Sequence, residues 1–156
     1  MKRTDLLLRM LDTTYDQESW YAPLKQAIEG VSAEQACWRP DGEATKTIWE
    51  NVNHLTYYKE RLTAQLEGRE WAQTLDGNET FYLTEQINDD KEWKAVVERV
   101  ESSQRRLREA LSKTTTEMLE ENSLEEKLLD IMMHDAYHTG QIMQLRKMQG
   151  SWPSHR

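Results

Sequence analysis

The chain has one cysteine, three prolines, six glycines and a single phenylalanine in 156 residues. Each scarcity excludes something. One cysteine, Cys37, cannot close an internal disulfide, so the fold must be held by a buried core. At 18.5 kDa the chain is long enough to bury one, and a single domain over residues 1–156 is expected. No apolar run approaches the roughly 20 residues that cross a bilayer, and the mean hydropathy of -0.90 argues against membrane residence. The first residues, Met1-Lys2-Arg3-Thr4-Asp5, lead into an amphipathic pattern rather than a secretory segment, so a cytoplasmic protein is expected.

Positive charge is also short. Twenty basic against 28 acidic residues give a net charge of -8, a field that repels phosphate backbones and argues against nucleic-acid binding. The richest basic cluster, Arg105-Arg106-Leu107-Arg108, is interleaved with Glu98, Glu101 and Glu109 and reads as a solvated helix face. What is plentiful is amphipathic aromatic surface, with six tryptophans and six tyrosines. Such rings suit core edges, pocket walls and subunit contacts alike.

Strand-like alternation is absent, and four long stretches repeat apolar residues at helical spacing. The first is expected from Thr4 to Gly30, bent at Pro23. Ser32-Ala33-Glu34-Gln35 is a capping box for a short connector turn. A second box, Thr47-Ile48-Trp49-Glu50, opens a helix that Gly68 closes. Residues 69–88 form a polar loop, long enough to be functional and able to cover one end of a bundle. Asp89-Asp90-Lys91-Glu92 starts the third helix and Ser123-Leu124-Glu125-Glu126 the fourth, which Gly150 ends. An all-α helical bundle follows.

Three of the four histidines lie in these helices. His134 and His138, at i and i+4, stack on one helical face in the sector of Ile131, Ile142 and Leu145, so they point inward. His54 sits at the edge of the apolar stripe of the second helix. Three buried imidazoles are costly unless their lone pairs are used, and three neutral rings hold a transition metal with a position left open. Spacing alone leaves two readings open: such a site, or core histidines satisfied by ordinary hydrogen bonds. His134 is followed by Asp135 rather than the glutamate of zinc proteases, and the Glu-x-x-His repeats of di-iron bundles are missing. Glu50, Asp130 and Gln141 are candidates to orient the rings from behind, as are Asn51 and Tyr58. Trp20, Tyr21, Trp49, Tyr57 and Tyr58 are candidate pocket walls. Cys37 lacks a neighbouring histidine and reads as a packed side chain, and His155, in the terminal tail, is left out of the site.

Trp38-Arg39-Pro40, the run Thr47-Ile48-Trp49-Glu50-Asn51-Val52-Asn53-His54-Leu55, and His134-Asp135-Ala136-Tyr137-His138-Thr139-Gly140-Gln141-Ile142 with Leu145-Arg146 resemble the DinB-like (damage-inducible) superfamily over nearly the whole chain. The resemblance implies a divalent metal, with zinc or nickel expected, on His54, His134 and His138. It implies a four-helix bundle of up-down-down-up connectivity with a long crossover between helices two and three, and a homodimer. It also implies a range of activities on small molecules: transfer of low-molecular-weight thiols to electrophiles, thiol-dependent isomerisation, or no assigned reaction. From the site's own chemistry, metal-dependent thiol transfer, hydrolysis of small amides or esters, and a non-catalytic metal-stabilised stress protein remain three alternatives.

Overall fold

A computed structural model describes residues 1–154, so His155 lies outside the described residues. It is all-helical, with no strand among them, and no helix is long and apolar enough to cross a membrane. Helices α1 (Arg3–Tyr15), α4 (Ile48–Leu66), α5 (Asp90–Ser112) and α7 (Leu124–Met148) are the long ones. Short helices α2 (Leu24–Ile28), α3 (Ala33–Cys37) and α6 (Thr116–Glu120) join them. Helix α4 packs on both α5 and α7, and α1 packs on the same two.

The second helix starts where its capping box places it. Thr47 Oγ1 accepts from the Glu50 amide at 3.1 Å, and Glu50 Oε2 accepts from the Thr47 amide at 2.8 Å. The box at Ser32 and Gln35 closes in the same way and opens α3. Two other helices start where expected, at Asp89 and Ser123, but are capped differently. Asp89 caps the Lys91 amide without closing a box with Glu92, while Asp90 accepts from the Ala33 amide and ties α5 to α3. Ser123 makes no cap bond, because Asn122 and Ser123 are both left-handed, at φ 53° and 55°. Glu125 and Glu126 instead face the positive end of the α7 dipole.

The first helix is a correction. It ends at Tyr15 rather than running to Gly30, with the Asp16 and Gln17 amides both closing on the Asp12 carbonyl. Pro23 does not bend that helix; it caps a new one, in extended geometry at ψ 168°. A proline has no amide to lose at a helix start, which is why it fits there. Helix α6, capped by Thr115, lies outside the four long helical stretches that the sequence predicts.

Two apolar clusters fill the interior. One gathers Trp49, Val52, Leu55, Trp93, Val100 and Ile142; the other gathers Leu11, Leu62, Leu107, Leu111, Leu128 and Met132. Along α4, α5 and α7 the two clusters are separated by polar side chains: Lys59, Gln104 and Asp135 are all buried. Lys59 Nζ donates to Gln104 Oε1 at 2.8 Å and lies 2.7 Å from Asp135 Oδ2. The histidines share this middle stretch of α4 and α7, so the polar layer and the candidate site are built on the same turns.

The loop before α5 is stitched down. A 3-10 turn at Glu79–Tyr82 packs on α4, and Asn53 Nδ2 donates to the carbonyls of Phe81 and Thr84 at 3.0 and 3.1 Å. Thr84 Oγ1 in turn accepts from Trp49 Nε1 and donates to Asn53 Oδ1. The basic cluster on α5 is solvated, as expected, but not idle: Arg106 pairs with Glu67 and Arg108 with Asp12.

Candidate metal centre

His54 on α4 and His134 and His138 on α7 converge, each offering one ring nitrogen within 4.8 Å of the others, a spacing that can hold a metal ion. The ring centroids are 4.6 to 4.7 Å apart. Helix geometry sets the α7 pair, and the packing of α4 on α7 brings up the third ring.

Hydrogen bonds on the far side of two rings fix which nitrogen faces inward. Thr80 Oγ1 donates to the Gly77 carbonyl at 2.7 Å, so towards His54 Nδ1, 2.6 Å away, it can only accept. His54 therefore carries its proton on Nδ1 and presents a lone pair at Nε2. Asn51 Nδ2 donates to the Thr47 carbonyl, which turns Oδ1 towards His138 Nδ1 at 2.8 Å. His138 is the same tautomer. Phe81 stacks on His54 at 4.1 Å with the rings parallel to 1° and closes off that face.

His134 is the ring the protein does not satisfy. Its Nδ1 is buried without a partner, and its Nε2 lies 2.8 Å from the lone pair of His54 Nε2. With its proton on Nε2 it leaves a bare lone pair at Nδ1; with the proton on Nδ1 it leaves an unmet donor and two facing lone pairs. Neither neutral form uses every nitrogen, whereas a cation among the three uses the inward lone pairs together. The donor set fits a transition metal.

All three rings are held neutral. Burial, reinforced by the other two histidines, pushes His54 down to about 3, and burial with His134 pushes His138 down to about 4. Burial lowers His134 as well, with Asp135 opposing it. An unfolded chain protonates His54 and His138 near pH 6.5 and the folded one only near 3 and 4, so protons favour unfolding across that interval. Metal-free protein is therefore expected to keep this part of its stability above pH 6.5 and to lose it progressively as the pH falls towards 4. Urea midpoints at pH 7.5, 6 and 5 check this; a midpoint unchanged in His54→Ala relative to the parent at every pH would contradict it.

The residues proposed to stand behind the rings are distributed differently. Glu50 is buried but committed to Thr47, Arg39 and Gln86. Gln141 lines one cavity with His138, and Asp130 lines another with His134. Asn51, placed on the helix of His54, reaches across to His138 instead. Thr80 and Phe81 were not anticipated, since nothing in a polar loop marks which residue will meet a ring. Losing Asn51 or Thr80 is expected to weaken metal binding about ten- to a hundred-fold, measured for Asn51→Leu and Thr80→Val by competition with a chromophoric chelator. Affinities within two-fold of the parent would show that these bonds do not orient the rings.

A profile of the DinB superfamily matches residues 17–142, a span that takes in all three histidines. The chain belongs to the DinB superfamily. No curated protein and no solved structure matches it.

Two cavities flank the imidazoles of this DinB-superfamily chain. One, of about 480 Å3, lies between α4 and α7 and is bounded by His54, His134, Tyr58, Leu62 and Ile131. The other, of about 520 Å3, reaches His138 past Asn51, Phe81 and Tyr137. Of the five aromatic residues considered as pocket walls, only Tyr58 lines either one. Trp49 and Tyr57 are core, Trp20 is 98% exposed, and Tyr21 is half-buried. Cys37 packs against the core and burial raises its thiol pKa, which leaves it a poor nucleophile.

Proposed function

We propose that this protein binds one divalent transition metal, zinc or nickel, through His54, His134 and His138 and uses it to transfer a small thiol to a small electrophile. The observation that carries the reading is the unsatisfied His134 ring between two imidazoles whose tautomers are already set. A cation in that position supplies the positive charge that favours the thiolate of a bound thiol over its neutral form. The chain's own residues do the remainder. Thr80 and Asn51 hold two rings in register, Phe81 shields His54, and the paired cavities give two reactants separate approaches to one point. The carbon-sulfur bond forms as the electrophile's leaving group departs, and the thiol proton passes to solvent.

Thiol transfer is favoured over hydrolysis because the buried acids near the rings are occupied. Glu50 is bound by Arg39 and the Thr47 amide, and Asp135 faces Lys59. A thiol starts from a pKa near 8.5 and bulk water from roughly 15.7, so although a cation acidifies both, the thiol ionises with less help from a general base. The reading includes an up-down-down-up order of the four long helices, with residues 69–88 as the crossover. It also includes a homodimer, which the exposed row Leu129, Met133 and Tyr137 on α7 supports.

The test is metal-dependent thioether formation. Zinc- and nickel-loaded protein is incubated with 2-mercaptoethanol and monochlorobimane, with 4-nitrophenyl acetate as the hydrolysis arm. Conjugation that vanishes in His134→Ala supports the proposal. Ester cleavage alone favours the hydrolase, and a metal-dependent melting temperature without any turnover favours a non-catalytic, metal-stabilised protein.

A further inference from the structure

The cavity between α4 and α7 carries charge that metal binding does not use. Arg61 and Lys127 line it from opposite helices, with Asp130 as its only acid, so its wall is left one positive charge in excess in a chain of net charge -8. Arg61 forms no ion pair among the described residues, although Arg39, Arg99 and Arg108 each hold a carboxylate. Lys127 has only a 3.4 Å contact to Gln65 Oε1. Between these charges and the rings the wall is apolar, formed by Leu62, Ile131 and the Tyr58 ring.

The cavity at His138 differs in its charge. Its one cation, Lys46, already donates to Tyr82 Oη at 3.1 Å and lies over the Phe81 ring at 5.0 Å. The two approaches to the imidazoles thus differ in charge: one offers a guanidinium with no ion pair among the described residues, the other neutral polar side chains such as Asn51, Gln141 and Gln144 beside an engaged lysine.

We infer that the α4–α7 cavity takes a small molecule bearing one carboxylate, which Arg61 binds while an apolar stem lies along Leu62 and Ile131 and the far end points at His54 and His134. Guanidinium binds a carboxylate through two parallel hydrogen bonds, a geometry that an amide of the same shape cannot reproduce in charge. The metal's charge lies at the imidazole end of the cavity; away from it Arg61, Lys127 and Asp130 sum to one positive charge, which suits a monoanion, whereas a phosphate monoester would set nearly two negative charges beside Asp130. The inference rests on the reading that this cavity faces the reacting centre, and it names the class of reactant that enters there.

Calorimetry of zinc-loaded protein with butyrate and with butyramide tests it. Butyrate is expected to bind about ten-fold or more tightly than butyramide. Arg61→Met is expected to erase that preference, Arg61→Lys to restore part of it, and Lys46→Met to leave it intact. Arg61 is exposed, so the variants should fold, and their melting temperatures are measured alongside. No measurable butyrate binding, equal binding of the two ligands, or a preference that survives in Arg61→Met would overturn the inference. A thiol arm separates this from the proposed function: cobalt-loaded protein is titrated with 3-mercaptopropionate and the near-ultraviolet thiolate-to-metal band is recorded. Arg61-dependent butyrate binding with no such band would sink thiol transfer and leave the carboxylate site standing.

Discussion

Replacing His134 with alanine is expected to lower metal affinity by more than the ten- to hundred-fold typical of losing an outer-shell partner, while leaving the metal-free protein's stability nearly unchanged. The three histidines are not equivalent in this respect. His54→Ala abandons Thr80, and His138→Ala strands the Asn51 carbonyl oxygen, so both also remove bonds that the metal-free fold uses. His134 gives up only its 2.8 Å contact to His54 Nε2, and its buried Nδ1 has no partner, so deleting it removes an unmet polar atom as well as a ligand. Chelator competition and metal-free melts on all three variants separate the two effects. If His134→Ala bound zinc as tightly as the parent, or if its metal-free melt fell as far as that of His138→Ala, the role given to this ring would be wrong.

Lys59→Met is expected to destabilise the protein by about 3–5 kcal/mol, the typical cost of leaving one member of a buried ion pair alone. Both partners are 1% exposed. The 2.7 Å approach of Lys59 Nζ to Asp135 Oδ2 is not aligned as a hydrogen bond, and Asp135 Oδ1 has no partner, so the carboxylate depends on the lysine's charge. Removing that charge strands it between two apolar clusters. The double variant Lys59→Met, Asp135→Leu should recover most of the loss, because an apolar pair no longer has to be desolvated as ions. Urea denaturation of the two single variants and the double variant gives the coupling energy directly. A Lys59→Met loss below about 1 kcal/mol would mean that water reaches the pair.

The pair bears on function through position. Lys59 follows His54 on α4 by five residues and Asp135 adjoins His134 on α7, so this contact joins the two helices beside the ligands. It offers a reason for a charged layer between two apolar clusters: apolar surfaces slide over one another more readily than a paired lysine and aspartate, and three converging rings need a fixed register.

What the sequence made legible follows from the range of each interaction. The ring pair on α7 is set by helix geometry alone, and the start of α4 by a capping box spanning three residues, so both could be read locally. That box also explains why Glu50 does not serve the histidines: its carboxylate is the cap's own partner. The break after Tyr15 is not visible in the sequence because Pro23 suits a kink and a new helix start equally, and only the amides closing on Asp12 decide between them. Thr80 and Phe81 sit on a loop whose place depends on Asn53 and Thr84, bonds 28 to 31 residues long in sequence. Asn51 and His138 are 87 residues apart, and no periodicity connects them.

X-ray absorption at the zinc edge, on untagged protein stripped and reloaded with one equivalent, reads the three-histidine site itself. Three imidazole nitrogens at about 2.0–2.1 Å are expected in the first shell, with their characteristic outer-ring scattering, falling to two in His134→Ala. A shell with one imidazole or none, or one unchanged by that substitution, would contradict it.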